Sequence, residues 1–247
     1  MVVAYYPLHY GKEYLRASIL SLIDAVDEIV FLYTPRGSYG HRGGLCPETE
    51  SDLKNIAMSF PNTRWVSGTY HNEGEHRGRI YEIAKGADLI LACDADEVYN
   101  TDELKQALEF AKVSGVRNHG VNGYVNFFRS FDHEVQDQFR PIRIINPNIH
   151  GKSVGEVKLT TYHFGCCQSE AIMRYKWAIH GHKDELRENW LEDIYLNPEH
   201  VEYFHPASLQ IWKSLIPFDK STLPEVLKRH PNYERTFADS CRESIQH

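Results

Sequence analysis

The stretch that most constrains this chain is Leu89 to Tyr99, Leu-Ile-Leu-Ala-Cys-Asp-Ala-Asp-Glu-Val-Tyr, where five apolar residues run unbroken and then give way to Asp94, Asp96 and Glu97. A continuous apolar run of this length fits a strand buried on both faces, as in the middle of a parallel sheet. Helical patterns flank it, so its carboxyl end is expected to open into the crevice where α/β sheets bind ligands. In extended chain, residues two apart point the same way, which would set Asp94 and Asp96 side by side and turn Ala95 and Glu97 away. Paired carboxylates repel unless a cation lies between them, and hard oxygen ligands suit Mg²⁺ or Mn²⁺ with phosphates completing the shell. The plainer alternative is a solvated acidic turn capping the next helix; the buried strand leading into it speaks for the site.

The rest of the first half alternates strand and helix. Val2 to Tyr6 reads as a strand ended by Pro7, and Leu15, Ile19, Leu22 and Val26 then recur at helical spacing from about Lys12. Glu28 to Tyr33 is a second strand, followed by a loop from Thr34 to Gly44 whose glycines allow close backbone approach to a ligand. A helix starting near Pro47 carries Leu53, Ile56, Ala57 and Phe60, and Arg64 to Ser67 is a third strand. A further helix from about Glu75 places Ile80, Ile83 and Ala84 inward, and Thr101 is expected to cap the helix after the acidic motif. The expectation is an α/β fold, a Rossmann-like, mostly parallel sheet with helices on both faces. Residues 1–118 form its ligand-binding half.

From Gly120 the pattern changes. Tyr124 to Arg129, Ile142 to Ile145 and Val157 to Phe164 read as an antiparallel β extension, Ser169 to Ile179 as helix, and the last forty or so residues as an irregular wrap. Residues 119–247 are thus expected to be the second half of the same single domain.

Composition narrows the class. A chain of 247 residues with 42% apolar and 25% charged content suits one substantial globular domain. No window approaches the roughly 20 apolar residues that cross a bilayer. The first residues read as a strand without a basic leader, so a cytoplasmic location is expected. Five cysteines, an odd number with Cys166 and Cys167 adjacent and no C-x-x-C pair, point to reduced thiols rather than disulfides or zinc. A net charge of −7 disfavours a nucleic acid backbone as the main partner, although a local basic groove keeps DNA possible.

With these elements in order, the chain resembles a family. The strand, the Tyr-Leu-Arg-Ala-Ser-Ile helix, the Asp-Glu-Ile-Val strand, the glycine-bearing loop, and His-Arg-Gly-Arg before Gly-Ala-Asp-Leu-Ile-Leu-Ala-Cys-Asp-Ala-Asp-Glu look like a GT-A-fold glycosyltransferase. The likeness is to family 2, the type whose acidic motif reads Asp-x-Asp-Glu, and covers roughly residues 1–180. It implies a metal-dependent transferase moving a sugar from a nucleotide-diphosphate donor, a UDP-sugar first among them, to an acceptor hydroxyl with inversion. It places Asp94 and Asp96, with Ala95 between them, at the metal and diphosphate, and Arg77 on the donor's phosphates, where a guanidinium is a suitable anion clamp. Tyr5, Tyr6, Pro7 and Thr34 fall where the family holds base and ribose. His163, in Thr-Tyr-His-Phe-Gly, matches a residue that closes the site as a further ligand to Mn²⁺ or Mg²⁺. Glu156 is the candidate general base, although Gly155 stands where the family usually has His. Arg174 and Lys176 would hold phosphates or be solvated. The family's Asp at the end of the second strand is replaced by Thr34-Pro35, with Ser38, Tyr39 and His41 beyond, so the nucleotide stays open.

Three other functions compete. A nucleotidyltransferase of related fold would carry a Gly-rich basic loop after the first strand, where this chain has Tyr-Tyr-Pro-Leu-His-Tyr-Gly-Lys. A non-catalytic sugar- or metal-binding module would not need the Asp94, Asp96 and His163 set intact. A metallohydrolase built on His180-Gly-His182 lacks a matching carboxylate motif. The acceptor, whether a glycan, a lipid-linked saccharide or a modified DNA base, is left to segments 129–140 and 180–205.

Overall fold

A computed structural model of the chain describes residues 1–37, 45–179, 186–198, 203–207, 212 and 214–245. Most of the Thr34–Gly44 loop, including Ser38, Tyr39 and His41, lies outside the described residues, as do His180, His182 and parts of segment 180–205.

The first half is a parallel block. Strands β1 (Val2–Leu8), β2 (Glu28–Tyr33), β3 (Thr63–Ser67) and β4 (Leu89–Ala92) stand side by side in the order β3-β2-β1-β4. The order reverses between β1 and β4, and ligands of open α/β sheets bind at such a point, beyond the strands' carboxyl ends. The block is apolar on both faces. Val2, Ala4, Tyr6 and Leu8 of β1 pack toward α1 (Lys12–Leu22), α2 (Glu50–Ala57) and α5 (Thr101–Val113), through Leu15, Ile19, Leu53 and Leu104. Val3 and Tyr5 point the other way, onto Ile80 and Ala84 beside α3 (Glu73–Gly78) and α4 (Ile80–Ile83). Period-two alternation on a doubly covered strand explains why neither face of β1 is polar.

Helix starts differ from expectation by a residue or two, for capping reasons. Thr49, not Pro47, opens α2, exchanging hydrogen bonds with Asp52 in a capping box. Asn100, not Thr101, caps α5 by accepting from the Glu103 N–H.

The second half joins the same sheet. Antiparallel to β4 lies β8 (Ile142–Ile145), then β6 (Asn118–Phe128), β7 (His133–Val135) and β10 (Leu215–Pro217). Strand β9 (Val154–Cys166) is thirteen residues long, parallel to β6 and antiparallel to the short β5 (Glu97–Tyr99). The result is a Rossmann-like α/β fold whose sheet is mixed overall and parallel at its core.

Helix α6 (Glu170–Ile179) forms where its pattern predicts, a short π-helical turn lies at Leu191–Tyr195, and the last forty residues, read as irregular, carry α7 (Glu225–Lys228) and α8 (Phe237–Ile245). This last part returns to the start of the chain. Tyr14 of α1 lies between Phe164 and His230, its ring 4.7 Å from the first and 4.8 Å from the second, nearly parallel to both. His230 Nε2 donates to the Glu13 carbonyl at 3.0 Å, and Asn232 reaches the Glu13 carboxylate. Among the described residues no helix is long and apolar enough to cross a membrane.

Candidate functional site

A cleft of about 370 Å³ opens where β1 and β4 part, within the range of small-molecule sites. Its walls come from the ends of β1 and β2 (Pro7, His9, Tyr10, Thr34, Arg36), from α3 (Glu73, His76, Arg77), from the acidic motif, and from His163 and Lys176.

The acidic motif is not extended. Strand β4 ends at Ala92, and the Glu97 N–H bonds back to the Asp94 carbonyl at 3.1 Å, closing a turn over Asp94-Ala95-Asp96. The side-by-side placement that alternation predicted is therefore corrected: the two carboxylates serve different neighbours. Asp94 lies between two guanidiniums, with Arg77 Nη2 2.9 Å from Oδ1 and Arg143 Nη2 2.8 Å from Oδ2. Burial alone would raise the Asp94 carboxyl, but Arg77 and Arg143 outweigh it and hold the group well below the usual carboxylate range. Asp96 faces the other wall, its Oδ1 3.9 Å from His163 Nε2 and its Oδ2 4.0 Å from Lys176 Nζ.

Behind Asp94 is a buried network that sequence reasoning missed. Glu97 is fully buried and accepts from the hydroxyls of Tyr99 (2.9 Å) and Tyr124 (2.8 Å) and from Arg143 Nε (2.8 Å), with a further bond from Arg143 Nη2. Arg143 thus bridges Glu97 and Asp94, and the floor of the cleft is a charge-compensated lattice. A buried carboxylate is tolerable on these terms because its lone pairs are filled and its charge is opposed.

His163 is held by a chain of donors. Asn126 Nδ2 donates to Asp137 Oδ2 at 2.8 Å, which turns its carbonyl oxygen to His163 Nδ1. A carboxylate only accepts, so the amide orientation follows, the proton sits on Nδ1, and Nε2 is left as an acceptor facing Asp96. Burial pushes the His163 pKa down, which keeps the ring neutral at pH 7. Gly165 makes room for this arrangement: a Cβ there would lie 2.6 Å from His163 Nε2 and 3.2 Å from Lys176 Nζ.

The other site residues divide. Thr34 lines the cleft, its carbonyl accepting from His9 Nδ1 at 2.7 Å, and Pro7 and Ala95 line it too. Tyr5 and Tyr6 do not, and their expected contact with base and ribose is corrected. Tyr5 is buried beneath α3 and donates to the His76 carbonyl; Tyr6 is buried on the opposite face, stacked on Phe31 and bonded to Ser18. Both were drawn in by the alternation of a doubly buried strand. Glu156 is corrected as well. It lies at the far end of β9, opposite Gly120, exposed and ion-paired with Arg140. Seven steps along the strand separate it from His163, roughly 23 Å at the rise of extended chain. The expectation of inversion loses its residue. Of the two basic residues on α6, Lys176 enters the cleft, while Arg174 points outward to Glu170 and Glu192.

The residues that the resemblance gives to Mn²⁺ or Mg²⁺ do not converge as a ligand set. Both Asp94 oxygens are taken by arginines, and among the described residues no group of three or more His, Cys, Asp or Glu side chains is arranged to hold a metal ion.

Four histidines, His9, His76, His163 and His230, are each held below the ordinary imidazole value, with burial the leading cause. The unfolded chain takes up protons near pH 6.5 that the folded chain refuses. Their stabilising contribution is therefore intact above that pH and declines as pH falls toward the folded values, by up to about 1.4 kcal/mol per pH unit for each net proton. Urea unfolding at pH 7.5 and 5.5 should give a clearly lower midpoint at 5.5; an unchanged or higher midpoint contradicts the burial of these rings.

No family model and no curated protein matches the chain. Solved structures do. S. aureus TarS 1–349 in complex with UDP is 17% identical over 51% of this chain and 36% of its own, with a TM-score of 0.39. A mycobacterial protein is 19% identical over 50% of this chain and 41% of its own, at 0.36. The 4-diphosphocytidyl-2C-methyl-D-erythritol synthase of Anaerococcus prevotii is 10% identical over 71% of this chain and 96% of its own, at 0.41. The chain spans little more than a third of the TarS structure it matches. At these identities and scores the likenesses carry no function, which is read from the side chains of the cleft.

Proposed function

We propose that the chain is a glycosyltransferase of GT-A type that binds a nucleotide-diphosphate sugar in this cleft and transfers the sugar to an acceptor hydroxyl. The observation that carries the reading is the meeting of Arg77, Lys176 and the Asp94–Asp96 turn at the β1/β4 switch point. A helix-borne guanidinium and an ammonium on opposite walls suit a diphosphate between them, and acidic side chains beside them suit the hydroxyls of a sugar. Breaking the sugar–phosphate bond leaves negative charge on the diphosphate, and fixed cations aimed at it lower the barrier.

The related nucleotidyltransferase reading is less well supported. Its loop after the first strand would bring basic residues to the phosphates, but Lys12 turns away to Asp52, 3.5 Å distant. Gly11 instead brings the loop against Ala95.

A thermal-shift screen of UDP, GDP, CDP, ADP and dTDP, with EDTA and with Mn²⁺, tests the proposal, since a ligand of the folded state raises Tm by mass action. One diphosphate, UDP first among them, is expected to raise Tm, with the shift lost in Arg77→Ala. If no diphosphate shifts Tm in either condition, the transferase reading fails.

A further inference from the structure

The divalent ion that the resemblance implies disagrees with the cleft, and the disagreement has a positive content. We propose that the cations holding the donor's diphosphate are built into the chain, with Lys176 and Arg77 on the two walls and Arg36 at the rim, so that donor binding requires no divalent metal. The inference rests on the reading of the cleft as a donor site.

Charge comes first. A metal-dependent diphosphate site presents surplus carboxylate, because its ion must be held before or with the phosphates. Here the lining carboxylates Glu73, Asp94 and Asp96 are matched by Arg36, Arg77 and Lys176, and the buried Arg143 and Glu97 behind them cancel. The cleft is neutral without an added ion. Asp94 in particular is already compensated, one oxygen to each arginine.

Position agrees with charge. The turn separates the two aspartates, leaving Asp96 and His163 as the remaining pair from the expected ligands. An ion on that pair would stand beside Lys176, whose ammonium shares with His163 Nε2 the small space over Gly165. Two cations of that kind repel at short range in a partly buried cleft. The ammonium occupies the ion's role.

Donors are also to spare. Lys176 Nζ gives one hydrogen bond, to the Gly165 carbonyl at 3.0 Å, and its approach to Asp96 is a long 4.0 Å, so its other protons can meet a phosphate. Burial works against its charge, but Tyr10, Asp96, Cys166 and Asp94 outweigh it and the group is held above the ordinary lysine value. Arg77 gives Nε to Glu73 and one Nη2 proton to Asp94, leaving further guanidinium protons for an anion. Among the described residues Arg36 has no ion-pair partner, and it lines the mouth of the same cleft.

Calorimetric titration of the same five nucleoside diphosphates in EDTA and in Mn²⁺ decides the matter. The expected result is one diphosphate whose affinity agrees within about threefold between the two conditions, weakened about tenfold or more by Lys176→Met and retained in Lys176→Arg. Asp96→Asn separates the two mechanisms even where Lys176→Met folds poorly. Fixed cations predict equal or tighter binding, because the ammonium loses a competing carboxylate; a metal site predicts loss. Binding that appears only with Mn²⁺ and disappears in Asp96→Asn overturns the inference and leaves the transferase reading standing. Absence of binding in both conditions overturns both.

Discussion

Replacing Arg143 with Met is expected to lower the unfolding free energy by about 3–5 kcal/mol, because it strands a charge where water cannot reach it. Glu97 is fully buried, and Arg143 is its sole cationic hydrogen-bond partner among the described residues. The tyrosine hydroxyls that also reach Glu97 supply hydrogen bonds but no charge. The loss should be measured by urea unfolding followed by circular dichroism. The double variant Glu97→Gln/Arg143→Met removes both charges and should recover much of the deficit, since a neutral amide beside two hydroxyls is far cheaper to bury than a lone carboxylate. A single-variant loss below about 1 kcal/mol, or a double variant no better than the single, would mean that solvent reaches Glu97 once Arg143 is gone.

Gly11→Val should destabilise by a comparable amount, about 3 kcal/mol or more, through two separate costs. Gly11 has φ of +121°, which a β-branched residue adopts only under strain, and a Cβ there would lie 2.5 Å from the Cβ of Ala95. The two costs can be told apart. Gly11→Ala combined with Ala95→Gly removes the collision and keeps the backbone strain, so it should be more stable than Gly11→Ala alone. If the pair of changes brings no relief, the loop does not lie against the acidic turn, and the shape of the cleft as described is wrong.

Both predictions concern features that a linear reading only half reveals. The Leu89–Cys93 run announced its strand because burial on both faces leaves a pattern that needs no partner to be seen. What followed was decided by one backbone bond, Glu97 N–H to the Asp94 carbonyl, and residue types alone do not distinguish a strand that continues through Asp94 from one that turns there. Glu97 was expected to point away from the aspartates, yet it meets Asp94 at the same guanidinium nitrogen, Arg143 Nη2; the sequence could not show Arg143 waiting on another strand to bring them together. The resemblance placed Tyr5 and Tyr6 at the base and ribose, yet the hydroxyl of each has its partner in the core. Glu156 was placed by a partial family match, with Gly155 where the family usually has His. With β9 taken as Val157 to Phe164 the glutamate falls just outside it, whereas the strand begins at Val154 and carries Glu156 at the end opposite His163. Lys176 was separable from Arg174 in principle. Helical spacing puts Lys176 beside the buried faces of Ile172, Met173 and Ile179, and Arg174 beside the acidic residues it pairs with.

The closing of Tyr14 by His230 has a consequence in time. Helix α1 leaves the ribosome well before the ring that covers its aromatic face and bonds to Glu13, which comes from a residue 217 positions later. At usual translation speeds that interval is roughly ten to forty seconds. Throughout it the nascent chain carries Tyr14 without its cap, and the aromatic stack of Phe164, Tyr14 and His230 closes only after the described strands of the sheet have been synthesised.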